Sequence, residues 1–274
     1  VAGVDRVDVD ALGYASSDVV RFSYRGGRVP SVGLAPGLAA LPVSEYTSSE
    51  SQQDLLGAAD RLRELLAAIA AAEPGVPIDV VGHSQGGVVS RLAVLRGDAS
   101  GTLTPTVQTV ATISAPHGGA DVATALHAIT RVGGADLTIG SLQDALGLQL
   151  DANSTAAAQL SEVSPLTDDL RARGVPDSVN FVSIGARGDP VVPSPRTVVS
   201  GEASVIVDAV GLHTHDEVPG DPEVTREIAL AVAGAPPTCS SVVDTALDLG
   251  VGESISWATD QVGASGLVLT APLP

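Results

Sequence analysis

Two rhythms of apolar and polar residues run along this 274-residue chain. Short β-branched runs at 19–24, 78–81, 106–114, 179–184 and 203–210 predict strands. Between them the spacing turns helical. Over 51–72, Leu55, Leu62, Leu65, Leu66 and Ile69 fall on one face, and further helices are predicted over 87–95 and 222–233. Such alternation predicts an α/β chain with a doubly wound, mostly parallel sheet and right-handed crossovers. The short, β-branched run 76–81 reads as a strand buried on both faces.

The rhythm loosens at 117–175, where weakly amphipathic helices are predicted at 121–131 and 141–150. That stretch is too long for a simple crossover, so it reads as a helical cap insertion or a plain packing insertion. A proline break near Ala235 starts a tail over 235–274 with no legible role. One domain over 1–234 followed by that tail is the expected organisation.

Composition narrows the function classes. Aromatic residues make up 2% of the chain against 44% hydrophobic, so the core is built from Ala, Val, Leu and Ile, and stacking on bases is not expected. All 14 basic residues are Arg, and the net charge of −18 repels nucleic acid. Cys239 is the single cysteine, which precludes an internal disulfide and offers no metal cluster. No cofactor or metal motif is present. The longest apolar helix, 55–72, carries Asp60, Arg61, Arg63 and Glu64, so no stable membrane span is expected there. The chain begins at Val1 and lacks methionine, which reads as a processed piece and favours a secreted or cell-envelope location. Oligomeric state is not legible.

The candidate chemistry starts where the 78–81 strand runs into Gly82-His83-Ser84-Gln85-Gly86 and then a helix. A strand–GxSxG–helix arrangement is a nucleophile elbow: it exposes a serine hydroxyl to a base, and side chains at Gly82 and Gly86 are expected to crowd the turn. The N–H of Gln85 then faces the position of an oxyanion. Such a serine needs an imidazole and a carboxylate. Asp189 follows the fourth predicted strand, and His213 and His215 follow the fifth, giving the order Ser, acid, His. Asp208, within the end of the fifth strand, is the rival acid. His83 reads as packing behind the elbow, His117 as shaping a turn, and His127 as a face of the cap.

Four motifs stand in order: GHSQGG at 82–87, SAPHGG at 114–119, GDPVVP at 188–193, and His215 ahead of Val218 and Asp221-Pro222. With these, the stretch 4–233 resembles the α/β-hydrolase superfamily, and within it bacterial lipases and the GPI inositol-deacylase type. The resemblance implies Ser84 as nucleophile, Asp189 as acid, Gln85 as oxyanion donor, and His215 rather than His213 as base, because the family histidine precedes the last helix by about six residues. It also implies an upstream strand ending in a His-Gly loop that supplies a second oxyanion donor. No such loop precedes Val19, Gly26-Gly27 is a poor substitute, and 1–14 reads as the end of the helix that follows the loop. The chain is therefore expected to lack its first strands and half of its oxyanion hole. The implied activity is hydrolysis of lipid or other apolar acyl esters. Alternatives are a small-ester carboxylesterase or thioesterase, and a non-catalytic binding module of the same fold.

Overall fold

The computed structural model describes residues 3–120, 151, 153–211 and 213–238. The predicted helices at 121–131 and 141–150, with His127, Cys239, Trp257 and nearly all of the tail, lie outside the described residues.

Among the described residues, four parallel strands form one sheet in sequential order: β1 (Ile78–His83), β2 (Val107–Ile113), β3 (Asn180–Gly188) and β4 (Ala203–Val210). The side-chain alternation of a strand divides the core between the two faces. On β2 and β3, Val110 and Phe181 join one apolar cluster, whereas Ala111, Ile113, Val182 and Ile184 join the other. The first cluster is covered by α2 (Leu55–Ala72) and α3 (Gln85–Ala99), with α4 (Thr155–Leu160) and α5 (Pro165–Ala172) alongside; α1 is the single turn Pro36–Ala39. The second is covered by the last helix, Pro222–Val232, through Val224, Ile228 and Ala231.

Local chemistry explains where element ends depart from the sequence pattern. Helix α2 starts at Leu55 rather than at 51, because the Asp54 carboxylate accepts from the Leu56 and Gly57 N–H groups and caps it there. Helix α3 outruns its expected 87–95 at both ends. It is buried without interruption from Gly87 to Val94, so it shows little helical period, and Arg96 in its last turn pairs with Asp60 of α2 at 2.7 Å. Strand β3 continues through Gly185-Ala186-Arg187-Gly188 to the candidate acid.

Two expectations are corrected. The 19–24 run does not join the sheet: Phe22 forms an isolated antiparallel bridge with Arg28, across a reversal in which Gly26 and Gly27 take φ of 105° and 68°. Phe22 and Val20 pack instead on Leu38, Leu41 and Leu65, in a satellite cluster over α2. Residues 3–14 hold no α-helix. They make one 3-10 turn, Val4–Arg6, extend at Val7, which is buried among Val218, Val224 and Ile228, and then close a turn in which the Leu12, Gly13 and Tyr14 N–H groups donate to the Asp8, Asp10 and Val9 carbonyl oxygens with Gly13 at φ 87°. Strand β1 is an edge of the described sheet, which leaves Val80 and Val81 only half-buried; full burial on both faces belongs to β2, where Val110, Ala111 and Ile113 are all 0% exposed.

Candidate active site

The turn from β1 into α3 is held in a sparsely populated conformation. Ser84 has φ 53° and ψ −129°, a backbone state that costs a non-glycine residue about 1–3 kcal/mol. Close packing enforces it. A Cβ on Gly82 would stand 2.7 Å from the Gly86 carbonyl oxygen, and one on Gly87 would stand 2.5 Å from the Ala115 Cβ. Gly86 was expected to be equally tight but is not, since the nearest atom to its Cβ position is the Tyr24 hydroxyl at 3.7 Å. The close approach of helix to sheet therefore rests on Gly82 and Gly87.

Three segments at the C-terminal edge of the sheet converge on Ser84. Its Oγ lies 2.9 Å from His215 Nε2, and His215 Nδ1 lies 2.8 Å from Asp189 Oδ2. His215 sits on a single helical turn, Thr214–Glu217, directly after β4. Asp189 follows β3 and is 0% exposed; its other oxygen accepts from the Val191 and Val192 N–H groups at 2.8 and 3.0 Å. All acceptor positions that matter are thus filled, and the carboxylate cannot rotate away from the imidazole.

Electrostatics follow from this packing. Burial works against the Asp189 carboxylate, but the His215 charge, the bond from His215 and the backbone donors outweigh it and hold the carboxyl below its ordinary range. Burial likewise pulls the His215 imidazole down, yet the Asp189 charge and hydrogen bond push harder, so it lies above its ordinary value. Since the Asp189 side is the acceptor, Nδ1 carries a proton, and in the neutral ring Nε2 is free to accept from the Ser84 hydroxyl.

The rivals are elsewhere. His213 is exposed at the start of the same turn. Asp208 points to solvent, with its side chain 74% exposed and paired to Arg187. His117 is buried in its turn, bonded to Thr112 Oγ1 at 3.0 Å. Gln85 opens α3, so its N–H belongs to the first turn, where no intrahelical acceptor exists, at the positive end of a 15-residue helix.

Two contacts were not legible beforehand. His83 packs behind the elbow as expected, but its Nε2–H also donates to the His215 carbonyl oxygen at 2.8 Å, with the rings 4.8 Å apart. Burial, aided by the His215 charge, lowers its pKa to about 3, so it stays neutral. Ser114, at the end of β2, is 0% exposed and has φ 44°; its hydroxyl stands beside Asp189 and helps keep it ionised. The one available signal was a polar residue at a strand end inside an apolar run. Among the described residues no His, Cys, Asp and Glu group could hold a metal, and no helix is long and apolar enough to cross a membrane.

Residues 51–132, which span α2, the elbow and β2, match the PGAP1-like α/β domain family. No curated protein sequence matches the chain significantly. Among solved structures, Bacillus licheniformis lipase BlEst2 in its propeptide form superposes with a TM-score of 0.51 at 15% identity, covering 73% of this chain and 45% of that one. Aspergillus fumigatus lipase B gives 0.51 at 15% identity, over 85% of this chain and 58% of that one. Mature BlEst2 gives 0.49 at 16%, over 69% and 78%. At such identities the likeness is one of fold, and with the parallel sheet and the elbow already described it establishes that this chain has the α/β-hydrolase fold.

Proposed function

We propose that this chain is a serine-dependent carboxylic ester hydrolase. The observation that carries the reading is the continuous relay from Ser84 Oγ to His215 Nε2 at 2.9 Å and from His215 Nδ1 to Asp189 at 2.8 Å, beginning at a strained elbow serine.

In this reading Ser84 attacks the acyl carbon while His215 takes its proton, and Asp189 stabilises the imidazolium so formed. The carbonyl oxygen becomes an anion facing the Gln85 N–H, in the positive field of α3. Collapse expels the alcohol, which leaves with the proton from His215. Water then enters, gives its proton to His215 and attacks the Ser84 acyl ester, releasing the acid and restoring the serine. Apolar acyl or lipid esters are the proposed substrate class. The lipase neighbours in fold support that choice.

A fluorophosphonate probe tests the reading. Wild type is expected to take up one label, lost in Ser84→Ala, and to hydrolyse p-nitrophenyl butyrate. Absence of label on folded wild type would instead assign a non-catalytic module.

A further inference from the structure

The chain has 2 Phe and 3 Tyr, and three of these five rings converge beside the elbow. Tyr24 stacks obliquely on Phe22 at 5.5 Å and edge-on against Tyr46 at 6.2 Å. Its backbone is pinned as well, because Arg61 Nε donates to the Tyr24 carbonyl oxygen at 2.7 Å. A ring held from three sides has little freedom to leave its position. That position is at the open end of α3: among the described residues outside that turn of helix, the Tyr24 hydroxyl is the one group within 4 Å of where a Gly86 Cβ would stand, and Gly86 adjoins Gln85.

The hydrogen bonds around it leave a donor to spare. The Gln85 carboxamide gives one N–H to the Ser51 carbonyl oxygen at 2.6 Å, and it acts on the Tyr24 phenol as a donor does, favouring negative charge on the phenol oxygen. The phenolic proton is not consumed by this contact. Burial and the neighbouring Tyr46 push the Tyr24 phenol well above its ordinary pKa, so the proton is present throughout the range in which an imidazole base works. A neutral, rigidly held O–H donor therefore stands next to the residue whose N–H faces the developing oxyanion.

We propose that Tyr24 is a catalytic residue that donates its hydroxyl hydrogen bond to the oxyanion, as the partner of the Gln85 N–H. The inference rests on the serine hydrolase reading above. The bond forms as charge develops on the carbonyl oxygen, so it acts on the transition state more than on bound ester.

The test compares wild type, Ser84→Ala and Tyr24→Phe on p-nitrophenyl butyrate, with thermal unfolding of each. Tyr24→Phe keeps the ring stacking and is expected to lower kcat by about 10- to 1,000-fold with KM changed less than about twofold. As a second readout, site-specific replacement of Tyr24 by 2,3,5-trifluorotyrosine makes the phenol more acidic. It is expected to add an alkaline limb on which kcat falls, a limb absent from wild type. A merely structural ring would produce neither effect. If hydrolysis depends on Ser84 but kcat of folded Tyr24→Phe stays within twofold of wild type, or if the fluorinated protein shows no new limb, the Tyr24 inference is overturned and the serine reading stands. Hydrolysis that survives Ser84→Ala overturns both.

Discussion

Replacing Asp189 by Asn removes one charge from the centre of the relay while leaving its shape almost unaltered. The amide oxygen can still accept from the Val191 and Val192 N–H groups, which now bond Asp189 at 2.8 and 3.0 Å, so the loop retains its anchor. The amide nitrogen must then face His215 Nδ1. Two N–H donors cannot point at each other, so the imidazole gives up its Nδ1 proton, carries its proton on Nε2, and presents a donor to Ser84 where an acceptor is needed. The expected loss is about 10³- to 10⁴-fold in kcat, or about 4–5.5 kcal/mol of transition-state stabilisation. The pH profile shifts as well. In wild type Asp189 raises His215 against burial; without that charge burial dominates, opposed by the weaker pull of Asp216, and the His215 pKa drops. The ascending limb of the profile is therefore expected to move toward acid as the plateau falls. The assay is kcat for p-nitrophenyl butyrate from pH 5 to 9, with melting curves for both proteins. A folded Asp189→Asn protein with kcat within tenfold of wild type, or with an unmoved limb, would refute the assignment of Asp189 as the group that orients and charges the base.

For wild type, activity should rise with deprotonation of His215, and because Asp189 raises that group, the midpoint should lie above 6.5; a midpoint clearly below it would contradict the buried pair. The two glycines after Gln85 should behave oppositely in urea titrations. Gly87→Ala, with its Cβ 2.5 Å from Ala115, should cost about 1–3 kcal/mol, whereas Gly86→Ala, whose nearest neighbour is at 3.7 Å, should leave stability unchanged or slightly improved. Equal losses would mean that the helix approaches the sheet differently. His83→Phe keeps a ring against His215 but removes the donor to its carbonyl oxygen, so kcat should fall by about 5- to 10-fold, the equivalent of one hydrogen bond. Because His83 is neutral, with a pKa near 3, the limb near neutrality should not move; a shifted limb would show that His83 itself titrates there.

Several features were dictated by the sequence alone, and for local reasons. The β-branched run ending in Gly82-His83-Ser84-Gln85-Gly86 specifies a strand that must turn sharply, and Ala203–Val210 was legible to the residue, because both signals lie within a few neighbouring side chains. Chain order brought Ser84, Asp189 and His215 to one sheet edge, since parallel strands with crossovers put every strand-end loop on the same side. Other features depended on partners remote in sequence. Whether 19–24 became a strand depended on contacts remote in sequence: among the described residues it does not add to the open edge of β1, and Phe22 and Val20 instead bury against Leu38, Leu41 and Leu65 over α2. Which glycine was indispensable depended on Ala115 crossing beneath α3, which moved the constraint from Gly86 to Gly87. His213 and His215 were separable in the sequence only by analogy; in the structure one is exposed, and the other is enclosed between Asp189 and Ser84. The contacts of His83 with the His215 carbonyl, of Ser114 with Asp189 and of Tyr24 with Gln85 join residues 61 to 132 positions apart. Periodicity reports which face of an element is apolar; it carries no information about which polar atoms the fold brings within 3 Å of one another, and in this chain the chemistry resides in those distances.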